Sequence, residues 1–141
     1  MDKILEITRD APVPFTFSAP FWEGTRDKRL LLQFCRQTNR PQFYPRPTSI
    51  FSGRRDLEWR EVSGEGELFT FTIANMGAGQ LRGYEPYAIA NVLLDVGVNI
   101  IGNLVHCPIE EIRIGMRVKP HWAPTADGKH LLMFEPDRAR P

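Results

Sequence analysis

Apolar and polar positions follow three different rhythms along this chain. After a proline-rich start, an amphipathic piece opens at Ser18, a predicted helix N-cap, with Phe21 and Trp22 as its large apolar side chains. Residues 39–56 then hold Pro41, Pro45, Pro47 and Gly53 with little apolar periodicity, which predicts an irregular, exposed module. From Leu57 onward the texture is that of strands. In "GEGELFTFTI" Phe69, Phe71 and Ile73 share one face and Leu68, Thr70 and Thr72 the other, the period of two that a pleated strand requires.

"PYAIANVLLD" is nearly continuous apolar sequence, and Asp95, Gly97 and Asn99 turn it into "IIGNLV", which predicts a hairpin of buried strands. "CPIEEIRIG" predicts a short helical turn started by Pro108 and stopped at Gly115. "MRVKPHW" alternates Arg117, Lys119 and His121 against Val118, Pro120 and Trp122, and a hairpin through Asp127 and Gly128 returns along "HLLMFE". Three strands, a short helix and two strands are the order of a five-stranded OB-fold barrel. The expected architecture is mainly β, with residues 1–56 forming an N-terminal helical segment and a ribbon-like module, and residues 57–141 forming the barrel.

The module over 30–53, "LLLQFCRQTNRPQFYPRPTSIFSG", has the spacing of a zinc ribbon from which ligands have been removed. Cys35 is followed at the ligand spacing by Thr38, and Ser49 and Ser52 repeat it. Hydroxyls stay protonated near neutral pH and are poor ligands for structural zinc, so this module is expected to hold no metal. Pro41, Pro45 and Pro47, with Phe43, Tyr44 and Phe51, are expected to stand in for the lost metal through loop stiffness and apolar contact.

Composition narrows the classes of function. The 141 residues carry 18 Lys and Arg against 17 Asp and Glu, a net charge of +1, so no global field draws a polyanion. No run of 18 apolar residues occurs, and the charged start "MDKILEITRD" does not read as a signal peptide, so a cytoplasmic protein with no membrane partner is expected. Two cysteines, Cys35 and Cys107, are expected as reduced thiols.

Catalytic signals are weak. His106 and Cys107 are adjacent and point apart in a strand, and no G-x-S-x-G elbow or H-E-x-x-H helix occurs. "GAGQLRG" lacks the Lys and Ser/Thr of a phosphate loop and is expected to be a flexible barrel loop. Arg40, Arg46, Arg54, Arg55 and Arg60 crowd the ribbon and the strand after it. They suit either the phosphates of coenzyme A or ion pairs with Asp56, Glu58 and Glu61. Arg117, Lys119 and His121, with Trp59, Phe69 and Trp122, raise single-stranded nucleic-acid binding as an alternative, and the near-zero net charge argues against it.

"PFW" with "LLLQFC", then "YPRP", "LEWREVSGEGELFTFT", "PYAIANVLLD", "GNLV" and "IRIGMRVKP", resemble the DUF35 family over about Phe21 to Trp122. The family joins a rubredoxin-like zinc ribbon to an OB-fold. The resemblance implies an accessory subunit of a thiolase-like enzyme acting on acyl-CoA by carbon–carbon bond formation or cleavage, or by acyl transfer. No catalytic residue and no cofactor is then expected in this chain, with a coenzyme A thioester as ligand of the whole complex. The expected partner contacts are Phe21, Trp22, Met76, Gly79 and Tyr84. Arg46, Arg54 and Arg55 are the candidates for phosphate. A stand-alone acyl-CoA-binding module is the other reading.

Overall fold

The computed structural model describes residues 2–140. A 3₁₀ turn over Asp2–Glu6 buries Ile4, and an extended segment leads to the helix α1, Ala19–Arg26. Ser18 occupies the N-cap position, yet its hydroxyl turns back to the Phe15 carbonyl and accepts the Phe15 N–H. Pro20, at the second helical position, removes one of the two N–H groups that a cap can receive.

Three strands form the first sheet, in the order β2-β1-β3: β1 is Leu30–Cys35, β2 Pro41–Gln42 and β3 Leu57–Val62. The strand expected to open the barrel at residue 57 therefore belongs to the ribbon. It pairs antiparallel with β1 along its whole length, Leu30 opposite Val62 and Cys35 opposite Leu57. The boundary between the two sheets falls at Ser63–Glu65, where Gly64 takes a left-handed φ of 76° against the Pro120 ring.

The second sheet closes as a barrel in the order β4-β5-β6-β8-β7. Its strands are β4 Gly66–Ala74, β5 Tyr87–Leu94, β6 Asn99–Leu104, β7 Arg117–Pro124 and β8 His130–Pro136. This is the five-stranded OB-fold, with a 3₁₀ turn at Ile109–Glu111 where the short helix was expected. β4 meets β7 through Gly66 and Glu67, and β6 meets β8 in parallel at the pair Leu104 and Phe134. Leu68, Ala88, Ala90, Val92, Leu104, Val118 and Phe134 fill the interior, and Phe21, Leu30, Leu32 and Phe34 extend the same core into the ribbon.

One expected face is corrected. Leu68 is fully buried and Phe69 is exposed, the reverse of the simple alternation. A β-bulge lies between Leu68 and Thr70 against β5, so the extra residue, Phe69, turns outward and shifts the phase. Beyond it Phe71 and Ile73 pack on the core as expected.

The 77–83 loop is held by its own chain. The Glu85 carboxylate accepts the N–H groups of Gly77 and Gly83, and Gln80 reaches Asp10. Its own N–H first, then those of Gly77 and Gly83, keep the Glu85 carboxyl below its usual range against the opposing effect of burial. Donors that could have cradled a phosphate are thus committed to an internal carboxylate.

Candidate functional site

An apolar groove of about 480 Å³ lies where the N-terminal segment, α1, the ribbon and the barrel meet. The proline-rich stretch contributes Val13 and Phe15, α1 contributes Phe21 and Trp22, the ribbon contributes Phe43 and Tyr44, and β6 and β8 supply the barrel wall. Val13 is 90% exposed, Phe15 69%, Ile101 55% and Tyr44 54%. Apolar side chains so exposed and so close together mark a surface made to be covered.

An aromatic stack gives the groove its shape. Phe21 meets Trp22 edge to face at 5.1 Å and Phe43 at 5.7 Å, Phe43 lies 4.2 Å from Tyr44, and Phe15 stacks on Phe17. Phe21 is buried, so it is a core residue whose ring also lines the groove. The groove's few polar groups include Arg9, which donates to the Asn103 side chain at 3.1 Å.

Beside the groove the ribbon carries two turns of the same design. In the first, Cys35 N–H donates to Arg40 C=O and Asn39 N–H to Cys35 C=O. In the second, Ser49 N–H donates to Arg54 C=O and Gly53 N–H to Ser49 C=O. Asn39 and Gly53 close the turns in the left-handed region, at φ 59° and 72°. The Ser49 Oγ accepts the N–H groups of Phe51 and Ser52. The Gln37 and Thr38 N–H groups and the hydroxyls of Ser49 and Thr38 surround the Cys35 sulfur. The Ser49 hydroxyl, then that of Thr38, lower the Cys35 thiol to about 6, outweighing burial.

A thiol depressed in the folded state contributes stability that is fully present above the unfolded value of about 8.5 and is lost as pH falls through about 6. The midpoint of chemical denaturation under reducing conditions is therefore expected to rise between pH 6 and pH 9. Cys35→Ser should remove that increment. An equal rise in both proteins would remove the thiolate from the account.

Two buried glutamines hold the second turn against β1. Gln33 and Gln42 face each other across the β1–β2 register. Gln42 Nε2 donates to Gln33 Oε1 at 2.9 Å and to Thr48 C=O at 3.1 Å, and Gln42 Oε1 accepts Ile50 N–H at 2.9 Å. Gln33 accepts Arg46 N–H and donates to Arg46 C=O, both at 2.8 Å. Arg40 stacks over the Phe51 ring at 4.2 Å and ties one turn to the other.

The remaining predicted residues are scattered. Arg46, Arg54 and Arg55 are exposed, line none of the groove and form no salt bridge among the described residues. Asp56 and Glu58 pair with Arg36, Glu58 also with Arg60, and Glu61 with Arg29. Met76 is exposed, Gly79 sits at the loop tip with φ 56°, and Tyr84 packs on the smaller core around Tyr87 and Ile4. In the cationic stripe, Arg117 forms a bidentate pair with Asp95 and His121 lies 3.6 Å from Glu135, which leaves Lys119 as the exposed charge. Sequence reasoning missed the groove residues Val13, Phe15 and Ile101 and the glutamine pair. The two glutamines carry no mark in the sequence, and only the strand register places them opposite each other.

Residues 59–123 match the family profile for the C-terminal OB-fold domain of ChsH2. A DUF35 domain-containing scaffold protein of Pyrococcus furiosus is 30% identical over 99 residues, 70% of this chain and 73% of that protein. The chain belongs to the DUF35 family. A solved structure of an Ltp2-ChsH2(DUF35) aldolase superposes with a TM-score of 0.80 at 26% identity, covering 89% of this chain and 98% of that one. A probable enoyl-CoA hydratase alpha subunit of Thermomonospora curvata is 29% identical over 118 residues, 82% of this chain and 36% of that protein. The chain spans 48% of a further DUF35 scaffold protein, from Methanocaldococcus jannaschii.

A DUF35 ribbon implies zinc, and the residues of this one do not fit it. The four ligand positions offer one thiol and three hydroxyls, and the Ser49 hydroxyl oxygen already accepts the Phe51 and Ser52 N–H groups. No helix among the described residues is long and apolar enough to cross a membrane.

Proposed function

We propose that this chain is a non-catalytic accessory subunit that seats its apolar groove against a larger enzyme chain. The observation that carries the reading is the groove itself, where Val13, Phe15, Tyr44 and Ile101 stand exposed around an aromatic floor. Chemistry of the chain's own is weakly provided for. Cys35 is buried among hydroxyls, and Cys107 is buried with its thiol pushed up, first by that burial and then by Glu111. Neither thiol has a histidine partner to activate it.

The partner we favour is a thiolase-like enzyme, with a reaction of carbon–carbon bond formation or cleavage, or acyl transfer, next to a coenzyme A thioester. Support comes from the solved aldolase that pairs Ltp2 with a DUF35 chain and from the relative named as a hydratase subunit. The nucleophile, base and oxyanion hole would lie in the large chain, and this subunit would shape the acyl channel or hold the assembly together. Co-expression with a thiolase-like protein of the same genome should give one co-eluting complex with activity that neither chain has alone. Separate elution at micromolar concentration, or turnover by this chain alone, would overturn the reading.

The groove's volume supports a second reading, an acyl-CoA-binding module acting alone, because small-molecule sites run to roughly 300–1,000 Å³. Calorimetric titration of the isolated chain with acyl-CoA separates the two. Saturable binding without partner favours the module, and binding only in the complex favours the subunit.

A further inference from the structure

Away from the groove, three side chains from separate parts of the barrel converge. His106 follows β6, His121 lies on β7 and Glu135 on β8, and their ligating atoms all fall within 4.8 Å of one another. The β7–β8 register explains two of them. His121 stands opposite Met133, so Glu135 is its diagonal neighbour on the same face. His106 is brought in by a left-handed backbone at φ 58°, uncommon for a residue with a Cβ, and the Asp2 carboxylate receives its N–H at 3.1 and 3.2 Å.

The Nδ1 atoms of both imidazoles face the same carboxylate oxygen, His106 at 2.6 Å and His121 at 3.6 Å from Glu135 Oε2. The rings stand edge to face with centroids 4.9 Å apart. Around a tetrahedral zinc with bonds of about 2 Å, ligand atoms sit roughly 3.3 Å from one another. Small side-chain adjustments bring this trio to that spacing.

The geometry points to a divalent transition-metal site made by His106, His121 and Glu135. Two imidazoles and one carboxylate select zinc, or a neighbouring first-row ion such as cobalt or nickel, over magnesium or calcium. Asp2 adds negative charge beside His106. Arg138, which would oppose a cation, donates to the His106 carbonyl at 3.2 Å. Lys119 faces Glu135 across the register and weakens the site without blocking it. His106 is exposed, so three protein ligands leave a coordination position open to water or to a donor from outside the chain. The site is separate from the ribbon's Cys35, and it stands independently of the subunit role proposed above.

The tag-free full chain titrated with zinc chloride in a non-chelating buffer should take up one equivalent, and Cys35→Ser should take up the same. Glu135→Gln and His121→Ala should each weaken binding by about 10-fold or more, with unchanged circular dichroism. Glu135→Gln retains an oxygen to hydrogen-bond His106, so its loss of metal would not reflect loss of fold. Cobalt in place of zinc should show ligand-field bands without a thiolate-to-metal charge-transfer band. Absence of uptake, retention of full affinity in both variants, or loss of the metal in Cys35→Ser would each overturn the assignment.

Discussion

Gln42→Ala is expected to free the 46–52 loop and lower stability by about 2–4 kcal/mol. Its amide links three partners in an interior where each buried polar group needs one: Gln33 Oε1, Thr48 C=O and Ile50 N–H. Truncation orphans the last two at roughly 1–3 kcal/mol each, and water entering from the nearby surface relieves part of that. Hydrogen exchange at the Ile50 amide is the sharpest readout, alongside the denaturation midpoint. Gln33→Ala should loosen the same loop, and the double variant should cost less than the sum, because both residues act in one network. Native protection at Ile50 in Gln42→Ala would show that the turn stands by other means.

The double variant Phe15→Asp/Ile101→Asp is expected to abolish assembly with the enzyme partner. Both side chains are largely exposed, so the change leaves the cores untouched. In the complex each would place a carboxylate in an apolar interface, and residues central to such surfaces carry about 2 kcal/mol or more apiece. The affinity should therefore fall by more than about 100-fold. Phe21→Ala is a poorer probe, since Phe21 belongs to the core and its loss would damage the fold as well. Co-elution of the double variant with undiminished activity would remove the groove from the interface.

Apolar runs and turn residues located the barrel strands: β5 reads as a nearly continuous apolar run, and it buries Ala88, Ala90, Val92 and Leu94 while the residues between them are half-buried. Alternation placed Phe71 and Ile73 on the core in β4. It failed at Phe69, since a bulge inserts one residue without any compositional mark. β3 looked like a strand and is one, but which sheet a strand joins depends on a partner elsewhere in the chain. The groove was hidden for a similar reason. Val13 and Phe15 sit in a proline-rich stretch without rhythm, and Ile101 lies on the outer face of a barrel strand. The metal-ligating trio was equally unreadable, because His106, His121 and Glu135 become neighbours only through barrel closure and a left-handed turn.

The meeting of β6 and β8 has a mechanical consequence. Four of the hoop's five joints are antiparallel ladders or a two-residue splice, while this one is latched by one parallel rung and the Val105 N–H to Phe134 C=O bond beside it. Heat or pulling force should spring the barrel there first. The groove straddles that latch, so whatever molecule lies in it also acts as its clasp.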